Sequence, residues 1–309
     1  MKIISLLPSA TEIVYALGLG DDLEGVTEEC DFPPDATTKP VVSRSAIPSE
    51  RPLSAREIDD AVNDRMTDHQ PLYHLDRDLI QRVQPDVILT QDLCRVCAVP
   101  SGDVEAALAE LGTTDADVVS LDPHSLDGIF SSIERAGELL GRAAEAGKLV
   151  SLLSSRVEAV REKALRLPTL RVFALEWSDP PFVGGHWIPE MVEIAGGTNL
   201  LNGREQPSRT VTWREVADAM PEVVVFMPCG YYLEEAVEEA RGLFDQPEFA
   251  STPAARDGAV FTVDATSYFS RPGPRVVDGL EILAWAIHPD AFPPPAEGTI
   301  ARAAPLLEP

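Results

Sequence analysis

The sequence has little lysine, few cysteines and no long apolar run. Lysine occurs at four positions only, and 51 acidic side chains against 25 basic ones give a formal charge of -26. A surface this acidic repels nucleic acid and anionic membranes, which excludes both as partners. No stretch approaches the roughly 20 consecutive apolar residues that a transmembrane helix requires, which excludes membrane insertion.

The four cysteines are Cys30, Cys94, Cys97 and Cys229. They are too few for a disulfide framework and fit a reducing compartment. The apolar start at residues 1–8 is shorter than a signal peptide and leads directly into a predicted helix. As written, the sequence therefore predicts a cytoplasmic protein. It also lacks a Walker loop, a G-x-S-x-G elbow and an H-E-x-x-H motif, so no catalytic residue is assigned and no enzyme is expected.

Residues 141–167 predict one long helix. Their apolar side chains recur at three- and four-residue spacing, and good helix formers fill the other positions up to Pro168. A chain of 309 residues, 44% hydrophobic, suffices for two cores. We therefore expect an N-terminal α/β lobe at residues 1–140, a connecting helix at 141–167 and a C-terminal α/β lobe at 168–309. The alternative is an ordinary amphipathic helix within one large domain.

Strands alternate with helices on both sides of that helix. The predicted strands lie at residues 2–7, 85–90, 117–121, 171–177, 223–227 and 259–263. Short connections between such elements are typical of parallel sheets covered by helices on both faces, so each lobe should have three layers. Ser9 and Glu12 match a capping box for a helix at residues 10–17. The proline-rich tail at residues 289–309 is expected to be irregular.

Polar and aromatic residues follow the predicted strand ends, where open α/β sheets bind ligands. The candidates are Ser9, Gln91, Asp92, Cys94 and Cys97 in the first half, and Glu176, Trp177, His186, Trp187, Cys229, Tyr231, Tyr268, Phe269 and Arg271 in the second. If the lobes face each other, both sets meet in one cleft, whose aromatic side chains suit a large, flat, partly apolar ligand. The alternative is that several of the aromatic residues pack the lobe cores.

Two local patterns allow a metal or a thiol role. Cys94 and Cys97 form a C-x-x-C, which can hold zinc, form a redox disulfide or line a cleft. Zinc needs two further ligands, which Cys229, His186 or Cys30 can supply only through the fold, so cleft lining or packing is favoured. His186 follows two glycines that let the backbone approach a ligand, and its imidazole can reach a metal. The other histidines are expected in caps, loops or surfaces, and no metal site is assigned.

Several segments resemble one family, in the same order along the chain. They are SLLPSATE at 5–12, CDFPP at 30–34, VQPDVI at 83–88, PPFVGG at 180–185, EIAGGTNL at 193–200 and SRPGPR at 270–275. Together they resemble the cobalamin- and siderophore-binding proteins of ABC importers, and the cobalamin-binding branch most. The resemblance spans about residues 1–289. It implies two α/β lobes joined by one rigid long helix, as the periodicity also predicts.

The resemblance implies reversible capture of a corrinoid, cobalamin, between the lobes without chemistry. It also implies docking on an ABC permease through one acidic residue on each lobe, at Asp76 or Asp78 and at Glu215. A monomer is expected, because two lobes need no partner to bury their cores. Relatives of this type are usually periplasmic or extracellular, whereas this sequence suggests an intracellular corrinoid carrier, sensor or salvage partner.

The sequence departs from the family in a longer stretch between residues 42 and 76 and in the C-x-x-C segment. These departures allow another ligand, namely haem, an iron-siderophore or a metal ion. A second alternative is a metal- or thiol-dependent enzyme that uses Cys94, Cys97, Cys229 and His186.

Overall fold

The chain folds as two units, each built on its own β-sheet. The computed structural model describes residues 1–47, 53–68, 70–93, 98–111 and 116–304. Unit 1 comprises Met1–Pro123 and Phe130–Val150, and unit 2 comprises His124–Ile129 and Ser151–Pro309. Cys94 and Cys97 lie outside the described residues, so their predicted roles stay predictions.

The first half of the chain supplies a mainly parallel sheet and its covering helices. Its elements are β1 (Ile3–Ser5), α1 (Pro8–Ala16), β2 (Leu23–Thr27), β3 (Val41–Ser45), α2 (Ala55–Thr67), β4 (Tyr73–Leu75), α3 (Arg77–Val83), β5 (Val87–Thr90), α4 (Ser101–Leu111), β6 (Asp117–Ser120) and α5 (Leu126–Leu139). In the described part of unit 1 the strand order is β4-β3-β2-β1-β5-β6. Only the β3–β4 pairing in that order is antiparallel. The apolar residues of β1 and β5 are buried, as expected for parallel strands covered on both faces.

The second half supplies the long helix and a second sheet. Its elements are α6 (Ala143–Ala164), β7 (Leu170–Ser178), β8 (Pro181–Val183), α7 (Ile188–Ile194), β9 (Gly197–Asn199), β10 (Arg209–Thr210), α8 (Trp213–Ala219), β11 (Val223–Phe226), α9 (Leu233–Arg241), α10 (Pro247–Ala250), α11 (Pro253–Asp257), β12 (Val260–Val263), α12 (Ala265–Tyr268), α13 (Val276–Ile287) and β13 (Ile300–Arg302). The described strands of unit 2 are ordered β10-β8-β7-β11-β12-β13, and β9 pairs with β7. Phe173, Leu175, Val224 and Phe226 of the central strands are fully buried in its core.

The predicted fold class is confirmed: two α/β lobes, and one long helix between them in the sequence. The described unit 1 sheet is mainly parallel, whereas the described unit 2 sheet is mixed, because its β10–β8, β8–β7 and β12–β13 pairings are antiparallel. The helix α6 ends at Ala164 rather than at residue 167. Val150 ends the part of α6 that belongs to unit 1, and Ser151 begins the part that belongs to unit 2. The residue boundaries predicted for the lobes and the connecting helix stay a proposal.

The predicted capping box at Ser9 and Glu12 is wrong. The helix α1 begins at Pro8, with Leu7 as its N-cap and no side-chain capping hydrogen bond. Proline is preorganised for the first helical position, so Ser9 lies inside the first turn instead of before it. A capping box does form at α2, where the Ser54 hydroxyl and the Glu57 carboxylate satisfy each other's backbone amides.

The prediction of an irregular tail is wrong at β13. This strand pairs antiparallel with β12, with Val263 opposite Ile300, so β12 is not the last strand. Three residues flanked by loop are too few to show a strand period, and pairing with β12 stabilises β13. The strand β2 and the helix α5 were also absent from the predicted elements.

His288, the C-cap of α13, makes the stability of unit 2 depend on pH. Its side chain is 9% exposed, and among the described residues its Nε2 atom has no hydrogen-bond partner. Burial lowers the pKa of His288 below its ordinary value of 6.5, although a backbone hydrogen bond with Gly196 opposes the shift. The folded protein therefore binds fewer protons than the unfolded chain below pH 6.5, and stability falls as the pH drops through that range.

We expect His288→Gln to lose less stability than the wild type between pH 7.5 and pH 5. Glutamine is also a polar side chain that can donate hydrogen bonds, but it carries no ionisable group. Urea unfolding at the two pH values measures the effect, with His74→Gln at an exposed position of β4 as the matched control. If His288→Gln loses as much unfolding free energy between pH 7.5 and pH 5 as the wild type does, another group causes the acid sensitivity.

Candidate ligand-binding site

Three predicted site residues lie at one edge of the unit 1 sheet. The strands β1 and β5 are parallel neighbours, so Ser9, Gln91 and Asp92 follow carboxyl ends at the same edge. Ser9 and Gln91 are buried, and the Gln91 amide donates to the Leu121 carbonyl oxygen at 3.0 Å. The exposed Asp92 carboxylate accepts from the amide and hydroxyl of Ser101 at 2.8 and 2.7 Å. The bonds of Asp92 connect this edge of the unit 1 sheet to the start of α4.

The predicted permease-docking residues are exposed carboxylates in the first turns of helices. Asp76 accepts from the Leu79 amide at 2.8 Å as the N-cap of α3, and Asp78 lies in the first turn of that helix. Glu215 accepts from the Thr212 amide at 2.7 Å at the start of α8. The backbone and hydroxyl bonds from Thr212 lower the pKa of Glu215. All three are accessible to a partner, and their docking role stays a prediction.

Trp177 and Tyr231 form an aromatic pair where β7 and β11 end. Their ring centroids are 5.5 Å apart at an interplanar angle of 71°, and both side chains are partly exposed. The indole Nε1 atom of Trp177 is buried and, within the described ranges, has no hydrogen-bond partner. Burial, assisted by the charges of Glu239 and Glu235, raises the pKa of Tyr231 to about 12. The Tyr231 hydroxyl therefore stays protonated at neutral pH and can donate a hydrogen bond.

Glu176 joins three segments beside this pair. Its partly buried carboxylate accepts hydrogen bonds from the Ser208 hydroxyl and the Gly185 amide, and its carbonyl accepts from the Cys229 amide at 3.3 Å. Burial raises the pKa of Glu176, and the bonds from Ser208 and Gly185 oppose the rise. The residue thus connects the end of β7 with the loops that follow β8 and β11.

Trp187 and Phe269 lie in the interior of unit 2, with 5% and 2% exposure. The Trp187 indole Nε1 donates to the Phe269 carbonyl oxygen at 3.0 Å. Tyr268 is partly exposed, with the Arg275 guanidinium 5.7 Å from its ring centroid, and Arg271 is buried. Trp187 and Phe269 therefore belong to the interior of unit 2, whereas part of Tyr268 is accessible. The ligand-binding role predicted for all of them stays a prediction.

His186 is held in an unusual backbone conformation. Its φ angle is +53°, a left-handed value that few residues other than glycine adopt. The His186 amide donates to the Gln206 carbonyl at 2.6 Å, and its own carbonyl accepts from the Glu205 amide at 3.1 Å. The His124 ring lies 5.6 Å from the His186 ring, centroid to centroid. Burial first, and the charge of His124 second, lower the pKa of His186.

Three residues of this region were not predicted as part of a site. They are His124, Ser208 and Glu190, whose carboxylate accepts from the Leu126 amide at 2.9 Å. No motif marks them, because each reaches its partner only through the tertiary fold. Among the described residues, no group of three or more His, Cys, Asp and Glu side chains can hold a metal ion. Cys30 is buried, with its Sγ atom 3.0 Å from the Thr11 hydroxyl oxygen, and Cys229 is partly exposed.

Two α/β lobes with a long helix between them in sequence are the architecture expected of the periplasmic binding protein fold. A family model described as periplasmic binding protein matches residues 3–266, so the chain belongs to that family. In the part of the chain that the structure describes, no helix has both the length and the apolar character to cross a membrane.

The chain is similar to proteins with known ligands and to one ABC lipoprotein. It is 26% identical over 283 residues to a vitamin B12-binding protein of Vibrio cholerae, covering 91% of this chain and 86% of that protein. It is also 26% identical over 294 residues to YvrC, an uncharacterized ABC transporter substrate-binding lipoprotein of Bacillus subtilis, covering 94% and 81%.

Solved structures show the same fold. A periplasmic heme-binding protein from Pseudomonas aeruginosa gives a TM-score of 0.72 at 20% identity and covers 99% of each chain. The periplasmic vitamin B12-binding protein BtuF of Vibrio cholerae gives 0.67 at 24% identity, covering 93% of this chain and 96% of its own. The cytoplasmic location expected from the sequence finds no support among these periplasmic and lipid-anchored relatives.

Proposed function

We propose that this protein binds a corrinoid, cobalamin itself, reversibly and without chemistry, for delivery to an ABC permease. The observation that carries the proposal is the Trp177–Tyr231 surface, with a buried indole N–H that has no partner among the described residues. The similarity to vitamin B12-binding proteins along most of the chain supports it.

A corrinoid combines a flat ring with amide side chains, and this surface suits both parts. The exposed faces of Trp177 and Tyr231 offer apolar area for the ring. An unsatisfied buried donor costs about 1–3 kcal/mol of free energy. A ligand carbonyl that accepts a hydrogen bond from Trp177 Nε1 would remove this cost. The protonated hydroxyl of Tyr231 is a second donor for an amide carbonyl. The conformation of the pair therefore favours a flat ligand rich in hydrogen-bond acceptors.

The charge around the pair favours neutral amides over carboxylates. Burial raises the pKa of Tyr231, and the negative charges of Glu239 and Glu235 raise it further; the whole chain carries a formal charge of -26. A haem brings two carboxylates towards these like charges, whereas the amide groups of a corrinoid bring none. Haem is nevertheless a second candidate, because the Nδ1 atom of His186, which has no hydrogen-bond partner within the described ranges, is a suitable ligand for its iron.

The test is a pair of titrations of the full chain under reducing conditions, with hydroxocobalamin and with haemin, followed by calorimetry and visible absorption. We expect saturable one-to-one binding of hydroxocobalamin and weaker binding of haemin. Tight haemin binding with a shifted absorption band, and no heat with hydroxocobalamin, would reverse the assignment. The absence of heat with both would exclude tetrapyrrole-like ligands.

A further inference from the structure

We propose that His124 and His186 together coordinate a divalent transition-metal ion of the Ni²⁺, Cu²⁺ or Zn²⁺ class. Both residues belong to unit 2, and their ring centroids lie 5.6 Å apart at an interplanar angle of 51°. This site goes beyond corrinoid capture and does not depend on it.

The distance between the rings matches two imidazoles bound to one ion. A metal–nitrogen bond of about 2.0–2.1 Å places each ring centroid about 3.2 Å from the metal. The two centroids are then about 4.5 Å apart at the 90° angle of square-planar or octahedral Ni²⁺ and Cu²⁺, and about 5 to 5.5 Å apart at tetrahedral to trigonal angles. The observed separation therefore needs only a small adjustment of the exposed His124 side chain.

His186 has a nitrogen available for the metal. Its Nδ1 atom is buried and lacks a hydrogen-bond partner among the residues the structure describes. A buried nitrogen without a partner is costly, and a metal ion satisfies it. Metals bind the neutral form of imidazole.

The backbone holds His186 in place against strain. A non-glycine residue in the left-handed region costs on the order of 1 kcal/mol or more and persists only where its surroundings enforce it. Here the surroundings are the two backbone hydrogen bonds with Gln206 and Glu205. Strain of this kind concentrates at ligand sites, and the fixed backbone preorganises the imidazole.

Glu190 connects the two segments that carry the histidines. It lies on α7, which begins directly after Trp187, and its carboxylate accepts from the Leu126 amide at 2.9 Å at the start of α5. His124 is two residues before that amide. Glu190 is therefore a positioning residue that sets the distance between His124 and His186.

The charge of these segments attracts a cation. Glu190, Glu193 and Glu205 carry three negative charges, and Arg204, which pairs with Glu193 and lies 4.0 Å from Glu190, offsets one. With two protein ligands, the metal keeps positions for water or for a small chelating molecule. An open site of this kind suits reversible exchange better than permanent structural binding.

The test is calorimetric titration of the full, reduced chain with Ni²⁺ alone at pH 7.5. We expect one site in the wild type and a loss of affinity of roughly tenfold or more in both His124→Asn and His186→Asn. Asparagine is chosen because it tolerates the left-handed backbone of His186. His74→Asn, an exposed histidine of unit 1, is the matched control and should bind as the wild type does.

Each other result would count against the shared site. Unchanged affinity in both variants, or a loss in only one of them, would overturn it. Charge-transfer absorption between nickel and thiolate would assign the metal to cysteines instead. Because the probe is Ni²⁺ alone, the result stands whether or not hydroxocobalamin binds.

Two variants of Glu190 distinguish a positioning role from a general effect on stability. Glu190→Ala removes the acceptor for the Leu126 amide and should weaken Ni²⁺ binding about tenfold. Glu190→Gln keeps a side-chain carbonyl that can accept the same bond and should restore most of the affinity. Equal affinity in Glu190→Ala and the wild type would overturn the positioning role.

Discussion

Replacing Gly185 with alanine is expected to lower the free energy of unfolding by about 2–3 kcal/mol, the upper range for overpacking. A Cβ atom at this position would lie 2.2 Å from the amide nitrogen of Ser208, 2.5 Å from the carbonyl carbon of Pro207 and 2.7 Å from the carbonyl oxygen of Gln206. All three are backbone atoms, so no side-chain rotation can relieve the contact. The loop itself has to move.

The same substitution should damage the site. Moving this loop disturbs the bonds from Gly185 and Ser208 to the Glu176 carboxylate and the bond between the His186 amide and Gln206. We therefore expect Gly185→Ala to lose ligand affinity together with stability, as measured by urea unfolding and by the hydroxocobalamin titration.

Gly147→Ala is the matched control for Gly185→Ala. Gly147 lies in α6, and a Cβ atom there would meet nothing within 4 Å. Alanine stabilises a helix interior by about 0.5–1 kcal/mol relative to glycine, so this variant should unfold at higher urea concentration than the wild type. Equal stability of Gly185→Ala and the wild type would show that the loop at residues 206–208 adapts without cost.

Trp177→Ala is expected to raise the dissociation constant for hydroxocobalamin about 30-fold. Truncating a central aromatic residue of a binding surface costs about 2 kcal/mol, and each 1.4 kcal/mol is a tenfold change in affinity. Trp177→Phe keeps a flat ring but removes the indole N–H. The loss of one hydrogen bond worth about 1 kcal/mol should then raise the constant about fivefold.

The control for the tryptophan series is Trp213→Phe. Trp213 begins α8 and packs edge-on against Phe249 in the unit 2 core, with ring centroids 5.7 Å apart. We expect this variant to lose stability without a change in affinity. If Trp177→Ala and Trp213→Phe bind hydroxocobalamin equally well, the aromatic pair is not the binding surface.

The sequence by itself determined the fold class and the long helix. Both depend on local patterns, because the three-and-four spacing of apolar side chains in α6 and the apolar runs of β5, β7 and β11 are visible without tertiary contacts. The six short motifs, in their order along the chain, also indicated the periplasmic binding protein family, to which the chain belongs because the family model matches residues 3–266.

Short elements could not be predicted in the same way. The strands β8, β9 and β13 have three residues each and form because neighbouring strands supply their hydrogen bonds. The start of α1 was misplaced because Ser9 and Glu12 match the capping spacing, while Pro8 occupies the first helical position. At this position two local patterns predict different helix starts, and only the folded structure shows which one applies.

Only the tertiary structure decided which of the candidate aromatic side chains are exposed. The sequence ranked Trp177, Trp187, Tyr231 and Phe269 alike, but packing buries Trp187 and Phe269 and leaves Trp177 and Tyr231 partly exposed. The pairing of His124 with His186 has no local signal either, because the fold alone brings distant segments together. The sequence gives the type of each residue, whereas the exposure of a side chain and its distance from other side chains depend on how the whole chain packs.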